Sequence, residues 1–280
     1  VRRAGAGSGA AVADGNATSR VGRLVVALES TDLRPSARVD ALFRALVAEA
    51  FRLPAAELAR VPADLVERAR RVSARGEGLL ETHWARRVAA GRASLEAFPY
   101  HDHYVRLVAW ERELVRRALG RDPRRAVVAG AGPLPLTALV LARLVPGLVV
   151  TCLDRDPEAV TAGARLAGRA GADPRRVTFA VGDAAGHDYG AADLVLVAAL
   201  VGDTDADKRA VLRRAAETAA GTAVLAVRTV PDDGRRLLYR RVEPASVPAH
   251  LPVAGEHPPP PGVVNSLLLV GGAPGPRPRR

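Results

Sequence analysis

Two aspartates stand where strands of the second half of the chain should end, and a glycine turn lies upstream of both. The turn is Gly130-Ala131-Gly132-Pro133, directly after the apolar run AVVA. A glycine turn between a strand and a helix lets the backbone approach a ligand closely. The third glycine of a pyrophosphate-cradling loop is missing and Pro133 follows at once, which argues against a dinucleotide. Asp154 closes the next apolar run, 22 residues after Gly132. A carboxylate in that place accepts hydrogen bonds from both hydroxyls of a ribose. Gly182-Asp183 follows a third run. There a carboxylate reaches an adenine amino group, a contact for which a dinucleotide site has no special use; the plainer reading of Asp183 is a turn cap. Taken together, the three signals favour S-adenosylmethionine (SAM) over NAD.

The first half carries a different set. Glu77 and Glu81 are four residues apart, as are Tyr100 and Tyr104, so each pair can share a helix face. A carboxylate or phenol there can take a proton from an amine. The plainer readings are a solvated first-turn glutamate for Glu77, a surface ion pair with Arg75 or Arg86 for Glu81, and core packing for Tyr104. Between the tyrosines lies His101-Asp102-His103, with His83 upstream. Two histidines in a turn could hold zinc, but no third ligand with firm spacing is evident, and no metal is assigned. His101 and His103 are instead taken as groups that orient the substrate. Arg228, at the end of a strand, offers a guanidinium fork to a substrate carboxylate.

The elements that must position these groups divide at about residue 120. Residues 1–20 are rich in Gly, Ala and Ser and read as a disordered leader, and 273–280 as a disordered tail. From 21 to 119 the spacing of apolar residues is helical, with helices over 42–51, 61–71, 78–90 and 104–119. Gly91 and Gly120 stop the last two. From 120 to 272 short apolar runs alternate with helices at 137–144, 158–170 and 207–219. Strands over 148–153, 177–181, 193–200, 223–229 and 263–271 then form a parallel sheet covered on both faces. The expected fold is α/β, a Rossmann-like domain of the SAM-dependent methyltransferase kind preceded by an all-helical N-terminal domain.

Composition narrows the partners. The net charge is +11, but the chain has one lysine, Lys208, and 40 arginines, with no arginine stripe that alternates with aromatics. Charge alone is therefore a poor argument for nucleic acid. The single cysteine, Cys152, excludes an internal disulfide and sits in a strand-like run where a small buried residue belongs. No apolar run is long enough to span a membrane, and the cytoplasm is the expected compartment.

Several segments resemble the nicotianamine synthase family: GAGPLPLTALVLAR at the glycine turn, DLVLVAALVG, AVLAVRT with the later LLY, and HPPPPGVVNSLLLV. In the helical half EGLLETHWA and FPYHDHYV are also similar. The match runs in order over roughly residues 70–272. Two departures stand out: His101-Asp102-His103 where plant members carry aromatics and asparagines, and prolines with Gly262 where they tend to carry an acid. The resemblance implies a transferase that moves the 3-amino-3-carboxypropyl (aminobutyrate) group of SAM to an amine, histidine or a second SAM among the acceptors, and releases methylthioadenosine. The product would be nicotianamine or a nicotianamine-like opine metallophore precursor. It implies a SAM site of Gly130, Gly132, Pro133, Asp154, Asp183, Ala198 and Leu200. It also implies an acidic and a tyrosine role among Glu77, Glu81, Tyr100 and Tyr104, without choosing within each pair.

A small-molecule methyltransferase and a non-catalytic SAM- or nucleic-acid-binding module are the competing readings. The histidines, if they crowd the cavity mouth, predict one transfer to one acceptor rather than repeated transfer.

Overall fold

The computed structural model describes residues 16–249 and 251–271, so the expected leader up to residue 15 and the expected tail fall outside the described residues. The leader reading fails at its inner end. Helix α1 runs Ala17–Glu29 and is capped by the Asn16 side chain, which accepts from the Ser19 amide at 2.9 Å. Its Val21, Val25 and Leu28 are fully buried, a stripe at i, i+4 and i+7 that the small residues before it obscure.

Helix α2 (Ala37–Arg52) opens on a Ser36 cap, and the short α3 (Ala55–Leu58) follows Pro54. Next comes α4, Ala63–Ala89, one helix of 27 residues where the sequence suggests two. Gly76 and Gly78 look like breakers, yet each costs only about 1 kcal/mol against alanine. Gly76 is also filled from outside: a Cβ there would lie 2.1 Å from Phe43 of α2. A helix of this length spans about 40 Å. One end lies in a core with Val21 and Leu58, and the other packs Ala85 and Val88 against Leu134 and Leu166. Helix α5 runs His101–Leu119 and ends on Gly120 at φ +71°.

The sheet alternates with α6 (Leu136–Leu144), α7 (Pro157–Arg169) and α8 (Asp205–Thr218). Its strands are β1 (Arg125–Ala129), β2 (Val149–Asp154), β3 (Val177–Val181), β4 (Leu194–Val197), β5 (Val224–Thr229), β6 (Val253–His257) and β7 (Ser266–Gly271). Among the described residues the order is β3-β2-β1-β4-β5-β7-β6. The first five pair in parallel, as the alternation predicts. β7 inserts antiparallel between β5 and β6, so the sheet is mixed rather than parallel throughout. A proline-rich loop suffices to join β6 to β7, whereas a parallel pair would need a crossover. β6 is half exposed and carries a register shift between Val253 and Gly255, and no alternation announces it.

The helical segment does not keep a core to itself. Val108 and Val115 of α5 share one with Val128, Leu196, Ala226 and Leu267 of the sheet. After β5 the chain returns to α2: the Gly234 amide donates to the Leu53 carbonyl at 2.8 Å, and a Cβ on Gly234 would lie 2.5 Å from the Ala50 carbonyl. Cys152 is buried and its thiol is pushed up to about 12 by burial, in keeping with a packing role. Among the described residues no helix is long and apolar enough to cross a membrane.

Candidate active site

The carboxyl ends of β1, β2 and β4 open into a cavity of about 1800 Å³ that α2, α4 and α5 roof over. Its floor is the glycine turn. Gly130 (φ +76°) and Gly132 (φ +66°) adopt the left-handed region, and both are crowded. A Cβ on Gly130 would lie 2.3 Å from Val201, and one on Gly132 would lie 2.8 Å from a carboxylate oxygen of Glu81. The turn must therefore be glycine both to bend and to let two other segments touch it.

Asp154 accepts from the Gly132 amide at 2.8 Å and, through its other oxygen, from the Asp156 amide at 3.0 Å. Each oxygen keeps a second lone pair for a ribose hydroxyl. Asp183 lines the same cavity while one of its oxygens accepts from the Ala185 amide at 2.9 Å, so it caps a turn and faces the site at once. Pro133, Ala198 and Leu200 also line the cavity, Leu200 with 41% of its surface exposed.

Facing this floor, Glu77 and Glu81 project from α4. Neither is in a surface ion pair. Glu81 accepts from the Tyr104 hydroxyl at 3.4 Å, and Glu77 from the Tyr239 hydroxyl at 2.8 Å. Burial holds the Glu81 carboxyl well above the usual carboxylate range, and the charges of Glu77 and Asp154 push it the same way, against the Tyr104 bond. Glu77 is raised by burial and drawn back by Tyr239 and Arg228. Tyr104 and Tyr239 are held far above the usual phenol range, first by burial and then by these carboxylates. At neutral pH the phenols are therefore donors, and the carboxyls are the groups poised to take a proton.

The remaining sequence candidates separate. Tyr100 stands at the rim, 43% exposed, stacked edge to face on Phe98 at 5.8 Å. His103 lines the cavity and its imidazole is kept neutral mainly by burial, with Arg106 and Arg228 nearby. His101 is not a cavity residue; it is buried, with Nδ1 3.2 Å from Asp102. The HDH segment is the first turn of a helix, where positions i and i+2 point apart. The two histidines therefore cannot act as a pair, His83 is exposed on α4, and among the described residues no three metal-ligating side chains gather. The narrowing of the mouth by two histidines does not occur.

Arg228 lines the cavity, but its fork is already engaged. Nε and Nη2 donate to Glu111 at 2.7 and 2.9 Å, and Nη2 also to Thr137 at 2.9 Å. Glu111 is 1% exposed. The Nε–Nη2 edge of the guanidinium is thus taken by Glu111 and Thr137 and is not open as a two-pronged clamp for a substrate carboxylate. Tyr239 escaped the sequence reading; it lies in the LLY segment, which has no periodicity to mark it, and only the docking of Gly234 on α2 brings it to Glu77.

The model of the family described as nicotianamine synthase protein matches residues 19–272. The chain belongs to the nicotianamine synthase family. Nicotianamine synthase 1 of Oryza sativa subsp. indica is 36% identical over 228 residues, which cover 77% of this chain and 68% of the rice protein. Nicotianamine synthase 9 of Hordeum vulgare is 34% identical over 253 residues, 86% of this chain and 74% of the barley protein. The crystal structure of MtNAS in complex with MTA and tNA superposes with a TM-score of 0.78 at 24% identity, covering 91% of this chain and 98% of MtNAS. Within the nicotianamine synthase family fold, then, the helical roof and the sheet enclose a carboxylate-bearing cavity.

Proposed function

We propose that the chain transfers the 3-amino-3-carboxypropyl group of SAM to an amine held under α4, and forms nicotianamine or a product of that type. The observation that carries this reading is the contact of Glu81 with the glycine turn: a proton-accepting carboxylate from the helical roof sits against the donor loop. SAM supplies a methylene activated by its sulfonium. Asp154 and the glycine turn hold the ribose, with Asp183, Ala198 and Leu200 around the base. The acceptor nitrogen attacks the methylene, the carbon–sulfur bond breaks, and methylthioadenosine leaves with the electron pair. Glu81 takes the proton from the acceptor ammonium, without which no lone pair is available. Glu77 keeps the Glu81 carboxyl basic through its charge, and Tyr104 and Tyr239 orient the pair. Tyr100 and His103 bound the acceptor end. An amino acid such as histidine or a second SAM fits as acceptor.

Incubation with SAM alone and with a panel of amino acids, followed by mass spectrometry, tests the reading. Methylthioadenosine with an aminobutyrate adduct supports it, and S-adenosylhomocysteine would make the chain a methyltransferase. Nicotianamine from SAM alone would establish repeated transfer, which the turned-away His101 leaves room for.

A further inference from the structure

In a chain that uses arginine at 40 of its 41 basic positions, the one lysine is buried. Lys208 lies in the first turn of α8 and is 4% exposed. Its Nζ donates to the carbonyl of Ala199 at 2.9 Å and to that of Val201 at 2.6 Å. Those residues flank Leu200, and all three line the cavity. Resting on the donor-site reading above, we infer that Lys208 is a positioning residue for SAM: its ammonium draws two carbonyls inward and so fixes the 199–202 loop against the glycine turn.

Three features support the assignment. The loop abuts the donor floor, since Val201 occupies the space a Cβ on Gly130 would take. The slot for the lysine is narrow: Gly202 has φ +80°, and a Cβ there would lie 2.8 Å from the Lys208 amide nitrogen and 2.9 Å from its Cγ. A thin stem with a compact three-donor head enters such a slot, which is too tight for the broader planar guanidinium. The helix that carries the lysine is itself fixed by reciprocal bonds between Thr204 and Asp207 at 2.8 to 3.1 Å. Burial, with Arg240 adding to it and Asp205 and Asp203 opposing, brings the ammonium down to about 8, so it stays largely charged at neutral pH. Buried charge without a salt-bridge partner is costly, and here the two accepting carbonyls offset that cost.

The test is SAM calorimetry on Lys208→Met and Lys208→Arg, with melting curves and steady-state rates alongside. Losing a hydrogen bond to a charged group costs on the order of tenfold or more in affinity. Lys208→Met should therefore raise the SAM Kd at least about tenfold and leave kcat at saturating SAM within a few-fold. Lys208→Arg should fail to restore affinity although it keeps the charge. A folded Lys208→Met with wild-type SAM affinity overturns the inference, and so does a loss of kcat with unchanged Kd. Should both variants fail to fold, hydrogen exchange on the wild-type chain decides: SAM must protect the amides of 199–203, and protection at 130–134 without it overturns the latch. If the wild type binds no SAM, the donor-site reading itself fails, a result separable from wild-type binding with an inert Lys208.

Discussion

The donor floor and the acceptor roof of this cavity are built by different means. Gly132 and Asp154 meet because β1 and β2 are neighbours in register, and their bond runs from a backbone amide to a strand-end side chain. The loop after β4 joins them through the next strand pairing. On the roof, Glu77 and Glu81 come from α4, Tyr104 from α5 and Tyr239 from the segment after β5. These groups are held by side-chain bonds between elements up to 162 residues apart. On the proposed function, a floor made of backbone geometry binds and a roof made of buried, mutually perturbed side chains moves protons. Substitutions on the two sides should therefore fail in different ways.

The largest effect is expected on the roof. Glu81→Gln should slow methylthioadenosine release by roughly 10²- to 10⁴-fold if Glu81 is the base, while SAM affinity stays close to wild type. Full activity in all four of the single variants Glu77→Gln, Glu81→Gln, Tyr100→Phe and Tyr104→Phe would remove the acceptor assignment. The same Glu81→Gln variant should melt higher than wild type at neutral pH. A carboxyl whose folded pKa is raised favours the fold fully below its unfolded pKa, and that contribution is lost as pH rises through the folded value. Catalytic groups are often held at such a cost.

Next comes the charge behind both sides. Arg228→Met leaves Glu111 buried and unpaired, which should destabilise the protein by about 3–5 kcal/mol in chemical denaturation. Arg228→Met with Glu111→Leu should recover much of that loss. A single variant that stays as stable as wild type yet binds SAM poorly would return Arg228 to the role of a substrate clamp.

A smaller loss belongs to the floor. Asp154→Ala should cost about 1.5–3 kcal/mol of SAM binding by calorimetry, with rates restored in part at high SAM. Unchanged affinity in a folded variant would end the ribose assignment.

The smallest effect is the sharpest test of the coupling. The acid limb of kcat should follow Glu81, rising with pH as the carboxyl loses its proton. Glu77→Gln removes a charge that raises Glu81 and should move the limb to lower pH; Tyr104→Phe removes a bond that lowers it and should move the limb up. Shifts in the same direction would show that the limb belongs to another group.

The sequence by itself determined the floor and most of the fold. Strand ends, a glycine turn and an aspartate at fixed spacing are local signals, and parallel pairing converts that spacing into contact. It also picked out Glu77 and Glu81 together, since i and i+4 positions share a helix face wherever the helix lies; the same argument for Tyr100 and Tyr104 does not hold, because Tyr100 caps the helix and stands at the rim. Only the tertiary structure decided the rest. A Phe43 ring laid over Gly76 keeps α4 continuous, which carries Glu81 onto Gly132. The start of α5 at His101 turns the two histidines apart. Glu111 engages Arg228, and the return of the chain to α2 delivers Tyr239. Each of these depends on which distant side chain fills a space or takes a charge, and neither periodicity nor spacing along the chain carries that information.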